Sequence, residues 1–294
     1  MTAFHEPALL KEAIEFLNVR PGKKYIDATV GGGGHAVEIV KRGGSLLGID
    51  VDPDAIESAR KKLKVVQGNF KNIEKIAREN DFYPVAGILY DLGLSSHQLE
   101  HSGRGFSFQK DEPLDMRADP KLKVTAANLV NGLAESELTK LFEKYGEESH
   151  ARAVAGAIIR SRWDRPISNS KELAGIISRV VRRKSKLHPA TKVFQALRIA
   201  VNDELNNLKS SLPPAFGMLE DGGRLVVISF HSLEDRIVKE FFKNMIKRDL
   251  VKGLTRKPVT PSEEEIERNP RARSAKLRAV EKIRNPKFEA PNKS

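Results

Sequence analysis

The chain contains no cysteine, and this absence removes several kinds of chemistry at once. Disulfides, thiolate metal sites and cysteine nucleophiles are all excluded. Long apolar runs are also absent, since no stretch approaches the roughly 18 apolar residues that a membrane-spanning helix needs. The first residues lack the basic segment and apolar stretch of a secretory signal. We therefore expect a cytoplasmic protein without a membrane partner.

Acidic residues are outnumbered by basic ones. The 294 residues include 51 Lys or Arg against 39 Asp or Glu, which gives a formal net charge of +12 and a pI near 9.7. This excess favours a polyanionic partner, and nucleic acid before a membrane surface. From charge alone, a basic enzyme without a polymeric partner is the alternative. The length suits one large domain or two.

A glycine run between two short apolar segments predicts a nucleotide-binding βαβ unit. The run Gly31–Gly34 follows apolar residues that end at Asp27, and a second apolar segment ends at Asp50. Glycines let the backbone turn sharply and approach a ligand with no Cβ in the way. A carboxylate at the end of the second strand suits the two hydroxyls of a ribose, so we expect Asp50 to bind one. The alternative role, capping the next helix, suits Asp52 better.

Two cofactor classes fit this unit. The spacing Gly31-x-Gly33-x-x-Ala36 matches the dinucleotide fingerprint, so a nicotinamide oxidoreductase is one candidate. Asp27 favours the other candidate, because its carboxylate suits the ammonium group of S-adenosylmethionine (SAM) and would repel a pyrophosphate. Stabilising the turn is the alternative role for Asp27.

Two later segments extend the expected adenosyl pocket. Phe70 follows the third predicted strand and is placed to lie against an adenine face, with core packing as the alternative. Asp91 ends the fourth predicted strand, and ligands of doubly wound sheets bind beyond the carboxyl ends of strands. Ser95 and Ser96 follow in a loop that can bring hydroxyl groups close to the transferred group.

The order of predicted elements indicates an α/β protein with a helical insertion. Strands and helices alternate up to about residue 104, which is typical of a parallel sheet with right-handed crossovers. Helical patterns then dominate to about residue 209. We expect residues 1–104 and 210–294 to form one discontinuous domain, and residues 105–209 an inserted all-helical domain. Strands are predicted at 24–28, 45–50, 64–67, 85–90, 224–230 and 275–283, and helices at 8–18, 35–42, 53–62, 71–80, 135–145, 152–162, 171–183, 191–208, 212–219 and 234–247.

Several strings along the chain resemble the bacterial RsmH (MraW) family, from His5 to about Lys282. The resemblance implies a Rossmann-like SAM-dependent methyltransferase sheet with an inserted helical domain. It also implies an activity, methylation of the exocyclic N4 amine of a cytosine in small-subunit (16S) ribosomal RNA, near the decoding centre. The strings are DLGLSSHQL from Asp91, RGFSF from Arg104, PLDMR from Pro113, HPATKVFQALR from His188, SFHSLEDR from Ser229 and NPRARS from Asn269.

The same resemblance implies the residues of the site. Asp91 is the expected catalytic residue as well as part of the cofactor pocket. No metal is expected, because SAM carries an already activated methyl group. Without the resemblance, His35 would be only a helix-start residue and Gln98 a residue of a solvated loop. The implied SAM-binding residues are Gly33, Gly34, His35, Asp50, Phe70, Asp91 and Gln98.

The absence of cysteine also bears on the target atom. Methylation at the ring carbon of cytosine usually needs a thiolate adduct, which this chain cannot supply. The amine or a ribose hydroxyl is therefore the preferred target. Asp91 is a candidate acceptor for the amine, although Asp91-Leu92-Gly93-Leu94 replaces the Asp/Asn-Pro-Pro-aromatic motif of many amino-methyltransferases. Phe230 is a candidate stacking platform or a core residue, and His231 a candidate general base or a structural residue.

Residues 149–200 form a strongly basic window, with twelve Lys or Arg and two acids. Such an imbalance favours phosphate contact, and we expect ribosomal RNA or the small ribosomal subunit as partner, with the target base splayed out. A SAM-binding ribosome-assembly factor without catalysis and a nicotinamide oxidoreductase are the alternative functions. The sequence predicts no particular oligomeric state. The basic residues that cluster in this window are Arg160, Arg162, Arg165, Arg179, Arg182, Arg183, Lys184 and Lys186.

Overall fold

A computed structural model describes residues 7–182 and 188–284. The chain divides into two compact units at Gly93/Leu94 and at Glu204/Leu205. The sequence-based boundaries stand at 104/105 and 209/210. We call the part before Leu94 and after Glu204 the sheet unit, and the part between them the helical unit.

The sheet unit is built on seven strands. In chain order they are β1 (Lys24–Asp27), β2 (Ser45–Asp50), β3 (Val65–Gln67), β4 (Val85–Asp91), β5 (Leu219–Ser229), β6 (Val251–Gly253) and β7 (Lys276–Lys282). Their spatial order is β3-β2-β1-β4-β5-β7-β6. The first five run parallel, whereas β7 runs antiparallel to both of its neighbours. The 3-2-1-4-5 order is Rossmann-like and confirms the predicted fold class.

The central strands are apolar because helices cover both faces of the sheet. All residues of β4 except Asp91 are buried. Asp52 caps the third helix, where its side chain accepts the N–H of Asp54, and Pro53 is the first residue of that helix. The helices are α1 (Leu10–Leu17), α2 (Gly34–Lys41), α3 (Pro53–Arg60), α4 (Ile73–Glu79), α5 (Ser96–Glu100), α6 (Ala126–Gly132), α7 (Glu135–Gly146), α8 (Ala151–Asp164), α9 (Ser170–Val180), α10 (Thr191–Asn202), α11 (Glu204–Met218), α12 (Ser232–Lys247) and α13 (Glu263–Arg268).

Three predicted elements differ from the structure, and one of them, the helix expected at 212–219, is the second half of the longer helix α11. The single helix over 191–208 was wrong, because Asp203 adopts a left-handed conformation with φ of 51° and separates α10 from α11. The strand at 224–230 begins earlier, at Leu219. Gly222, with φ of 74°, lies inside β5 where the pairing with β4 loses its regular register. Gly222 therefore belongs to an irregularity within the strand and not to a separate turn before it.

The helical unit has its own apolar core, formed between α6, α7, α8, α9 and α10. In its described residues the strand-like pairing is confined to one isolated bridge, between Pro113 and Asn169. The helical character predicted for the insertion is confirmed. Fully buried side chains of this core include Val130, Leu138, Phe142, Val154, Ile158, Leu173, Ile177, Val193 and Leu197.

No helix within residues 7–182 and 188–284 is both long enough and apolar enough to cross a membrane.

Candidate cofactor and active site

Three aspartates end three neighbouring strands of the sheet. Asp27 is the last residue of β1, Asp50 of β2 and Asp91 of β4, and β1 lies between the other two strands. Because these strands are parallel, their carboxyl ends meet at one edge. The structure therefore brings together the three acidic residues that the sequence analysis placed at strand ends.

Asp50 is oriented by two backbone groups. Its Oδ2 accepts the N–H of Gly31 at 2.9 Å, and its Oδ1 accepts the N–H of Asp52 at 3.0 Å. Burial raises the pKa of Asp50 to about 6, while these hydrogen bonds oppose the rise. Each carboxylate oxygen can accept a further hydrogen bond, so both remain able to bind a hydroxyl. Capping of α3 is done by Asp52, which frees Asp50 for this role.

Asp27 closes the turn that follows β1. Its Oδ1 accepts the N–H of Thr29 at 3.1 Å, so the turn-stabilising role is present in the structure. The side chain is buried. Burial raises the pKa of Asp27 to about 7, and the charge of Asp50 raises it further, against the hydrogen bond from Thr29. Binding of a cationic ligand by Asp27 remains a prediction.

Asp91 has the least satisfied carboxyl group of the three. Its amide donates to Oγ1 of Thr29 at 2.7 Å, which ties β4 to the turn after β1. The side chain is 22% exposed, yet Oδ1 is buried and has no hydrogen-bond partner among the described residues. Burial holds the pKa of Asp91 well above its usual range, and the charges of Asp27 and Glu234 add to the rise.

His35 lies beside this carboxyl group. The imidazole is buried in α2, with Nδ1 3.5 Å from Oδ2 of Asp91 and Nε2 3.2 Å from the carbonyl oxygen of Ala8. A carbonyl can only accept, so Nε2 carries a hydrogen and Nδ1 faces the carboxyl. The resemblance indicated His35, whereas periodicity alone gave it no role.

Gly33 and Gly34, the two glycines expected at the cofactor, lie so close to neighbouring side chains of the protein that a Cβ would not fit at either position. Gly33 caps α2 with φ of 82°. A Cβ at Gly33 would lie 2.9 Å from Cδ1 of Leu63, and one at Gly34 would lie 2.8 Å from Cγ of Pro7. Close approach to a cofactor therefore stays a prediction for both glycines.

Phe70 begins a short 3₁₀ helix after β3 and is half-buried. Its ring meets that of Tyr90 edge to face, with centroids 5.6 Å apart and planes at 80°. It also packs against the main core of the sheet unit. The core-packing role is thus present, and contact with an adenine remains a prediction.

Gln98 lies in the helical unit, within α5, and is buried. Its Oε1 accepts the N–H of Ser95 at 3.0 Å, and Oγ of Ser95 accepts the N–H of Gln98 at 3.2 Å. The solvated loop expected without the resemblance was wrong, because the Ser-x-x-Gln spacing forms a capping box. A role in binding the cofactor is untested and stays a prediction.

Glu234 is a buried acid that the sequence analysis missed. Its Oε2 accepts the N–H of Phe230 at 2.8 Å, and its charge contributes to the raised pKa of Asp91. Both ring nitrogens of His231 face Glu234: Nε2 is 3.2 Å from Oε1, and Nδ1 accepts the backbone N–H at 3.4 Å. The structural role for His231 is the one observed. The His-x-x-Glu spacing before a helix was the signal.

The basic window holds side chains of two kinds. Arg162 is structural, since its Nη1 donates to the carbonyls of Val130 and Leu133 at 2.7 Å each, at the C-terminal end of α6. The predicted contacts of Arg183, Lys184 and Lys186 lie outside the described residues. The remaining basic residues of the cluster are solvent-exposed, and they are Arg160, Arg165, Arg179 and Arg182.

Comparisons with known proteins agree on one family. A family model described as the MraW methylase family matches residues 2–283. A ribosomal RNA small subunit methyltransferase H from Dehalococcoides mccartyi is 46% identical over 96% of this chain and 87% of its own. One from Carboxydothermus hydrogenoformans is 47% identical over 95% and 98%.

A solved structure, an rRNA methylase from Streptococcus thermophilus, is similar at 11% identity with a TM-score of 0.46, and the alignment covers 96% of this chain and 100% of that one. The match to the MraW methylase family bears on the alternative functions, and it does not favour a nicotinamide oxidoreductase or an assembly factor without catalysis. The same match confirms SAM as the cofactor. The chain belongs to the MraW methylase family.

Proposed function

We propose that the protein transfers the methyl group of SAM to the exocyclic N4 amine of a cytosine in small-subunit (16S) ribosomal RNA, near the decoding centre. The names of the relatives support small-subunit ribosomal RNA as the substrate, and the N4 amine and the position near the decoding centre come from the family resemblance. One observation carries the chemistry: Oδ1 of Asp91 is buried at the carboxyl end of β4 without a hydrogen-bond partner among the described residues. An amine that gains a methyl group must give up a proton, and this atom would accept it.

The acidic sheet edge fits the cofactor. When bound, SAM supplies a methyl group activated by a positively charged sulfonium. Asp50 would hold the ribose hydroxyls, because both of its oxygens are oriented and retain accepting capacity. Asp27 and Asp91 would provide negative charge for the cationic groups. Gly33, Gly34, His35, Phe70 and Gln98 would complete the pocket.

Asp91 would both orient the amine and receive its proton. A cytosine amine is a poor nucleophile, because its lone pair is delocalised into the ring. Oδ2 faces His35, which leaves Oδ1 to accept a hydrogen bond from the amine. A carboxylate with a raised pKa is a stronger base than an ordinary one once it is ionised, so the burial of Asp91 suits it to this step.

The helical unit would bind the RNA. Its exposed arginines offer phosphate contacts, and the amine becomes reachable only when its base leaves the stack. This assigns the cofactor and the chemistry to the discontinuous sheet domain, and RNA recognition to the insertion predicted at residues 105–209.

Nucleoside mass spectrometry of 16S RNA tests the function directly. RNA from a strain that lacks the gene should lose one N4-methylated cytidine, and purified enzyme with labelled SAM should restore it at one mapped nucleotide. An Asp91→Asn enzyme is the matched control and should bind the RNA without restoring the methyl group. An unchanged nucleoside profile in the deletion strain would support an assembly factor without catalysis instead.

Cofactor affinity should depend on pH. Asp27 and Asp50 ionise as the pH rises through about 7 and about 6, and a cation binds their ionised forms better. We expect the dissociation constant of SAM to fall roughly tenfold between about pH 5.5 and pH 7. Adenosine, which keeps the ribose but has neither the ammonium nor the sulfonium group, is the control in calorimetric titration and should give a weaker dependence. Equal slopes for SAM and adenosine would contradict an electrostatic role for Asp27.

Replacement of three basic residues should weaken RNA binding selectively. In the triple variant Arg182→Ala, Arg183→Ala, Lys184→Ala, we expect lower RNA affinity and a log–log salt slope that is smaller by about 2. SAM affinity should be unchanged. A triple variant that removes the same charge from exposed positions of the sheet unit, Lys11→Ala, Lys61→Ala, Lys62→Ala, is the control. Equal loss of SAM binding in the first variant would show that its three basic residues serve the fold or the cofactor site.

A further inference from the structure

The only tryptophan of the protein lies on the surface of the helical unit. Trp163, in α8, is 85% exposed, although tryptophan is highly buried on average. Among the described residues of this unit, the other large hydrophobic side chain with high exposure is Val124, at 47%. Trp163 is therefore not part of a broad apolar patch of the kind that marks protein interfaces.

A cavity of about 310 Å³ opens beside this indole. It is an open depression of the surface, with apolar walls and a few polar groups. The polar groups are held in place: Arg162 donates to two backbone carbonyls, and the amide of Asn131 bonds both the N–H and the carbonyl of Ile167. The lining residues are Asn131, Ile159, Arg162, Trp163 and Pro166.

The surroundings of Trp163 are basic. Arg160 and Arg165 are exposed in the same stretch of chain. Arg165 pairs with Glu172 at 3.2 Å, but its side chain is so exposed that the pair contributes little and can exchange for a phosphate. An exposed aromatic ring among arginines is the combination that binds single-stranded nucleic acid, by base stacking and phosphate contact together.

We propose that Trp163 and its cavity bind one unpaired base of RNA, stacked on the indole, with Arg160 and Arg165 on the flanking phosphates. The inference rests on the proposed function for the identity of the polymer. It adds a base contact within the helical unit, where charge alone would predict only contacts to phosphates. Stacking is tolerant of base identity, so this contact supplies affinity and register rather than choice of sequence.

The fluorescence emission of Trp163 can be measured without a contribution from another tryptophan, because the chain has no other. This emission tests the proposal. Single-stranded oligo(A) should quench this emission in the full-length protein, and the fully paired RNA duplex should not. Trp163→Ala should weaken binding of the oligonucleotide about 10-fold to 100-fold. Trp163→Phe should restore the larger part of that affinity, and SAM affinity should be unchanged in both variants. Val124→Ala, which removes the other exposed apolar side chain, should bind like the wild type.

Three results would overturn the proposal. They are unquenched emission at saturating oligo(A), wild-type affinity in Trp163→Ala, and an equal loss of affinity in Trp163→Phe. Unchanged RNA affinity together with loss of self-association in Trp163→Ala would assign the residue to a contact between copies of the chain. Methylation of 16S RNA by the wild type, measured in parallel, separates these failures from failure of the proposed function.

Discussion

Replacing Asp91 with Asn should lower the rate of methyl transfer by about 10²-fold to 10⁴-fold, the range for loss of a positioned proton acceptor. Asn keeps the shape of the side chain and can still lie beside His35. It cannot take up the proton that the amine must lose. SAM affinity should fall much less, by about tenfold, because one negative charge is removed from a site that retains Asp27 and Asp50.

Single-turnover kinetics at saturating SAM separate the two effects of Asp91→Asn. The expected signature is a large loss in the rate constant with a small change in the dissociation constant. Glu234→Gln is a useful comparison, since it removes a second buried negative charge and leaves the proposed acceptor in place. If the rate loss in Asp91→Asn disappears at saturating SAM, Asp91 serves cofactor binding alone.

Asp50→Asn should weaken SAM binding by about 100-fold, since charge-assisted hydrogen bonds contribute roughly 1.5–3 kcal/mol each. The cause is the loss of the ionised carboxylate that is held towards the glycine turn. S-adenosylhomocysteine should lose affinity to the same degree, because the two compounds share the ribose. Isothermal titration calorimetry measures both.

Asp54→Asn is the matched control for Asp50→Asn, because Asp54 is an exposed acid at the start of α3. It should bind SAM like the wild type. Loss of SAM affinity alone, with S-adenosylhomocysteine still bound normally, would contradict ribose binding by Asp50. It would indicate that this carboxylate acts on the sulfonium instead.

The parallel half of the sheet was predictable from local patterns. Short apolar runs that end in Asp27, Asp50 and Asp91 recur between helical segments, and the structure places all three carboxylates at one edge. The antiparallel direction of β7 was not predictable in the same way. The apolar pattern of a buried strand is the same in parallel and antiparallel pairing, because side chains alternate between the two faces of the sheet in both cases.

Contacts that depend on packing lay beyond the sequence. Apolar periodicity does not mark the break between α10 and α11, because the apolar spacing continues across Asp203. The approach of His35 to Asp91 depends on how α2 packs against the sheet, which periodicity does not report. The capping role of Gln98 was available from its spacing to Ser95, whereas the exposure of Trp163 depends on which face of α8 the helical core covers.

The position of β7 has a consequence during synthesis on the ribosome. This strand, at residues 276–282, fills an interior place in the sheet, and six of its residues pair with β5. A nascent chain that has already produced β5 therefore keeps an unpaired strand edge until residue 282 has emerged from the exit tunnel. Unpaired edges attract other strands. Completion of the sheet only after the last strand is released follows from the topology.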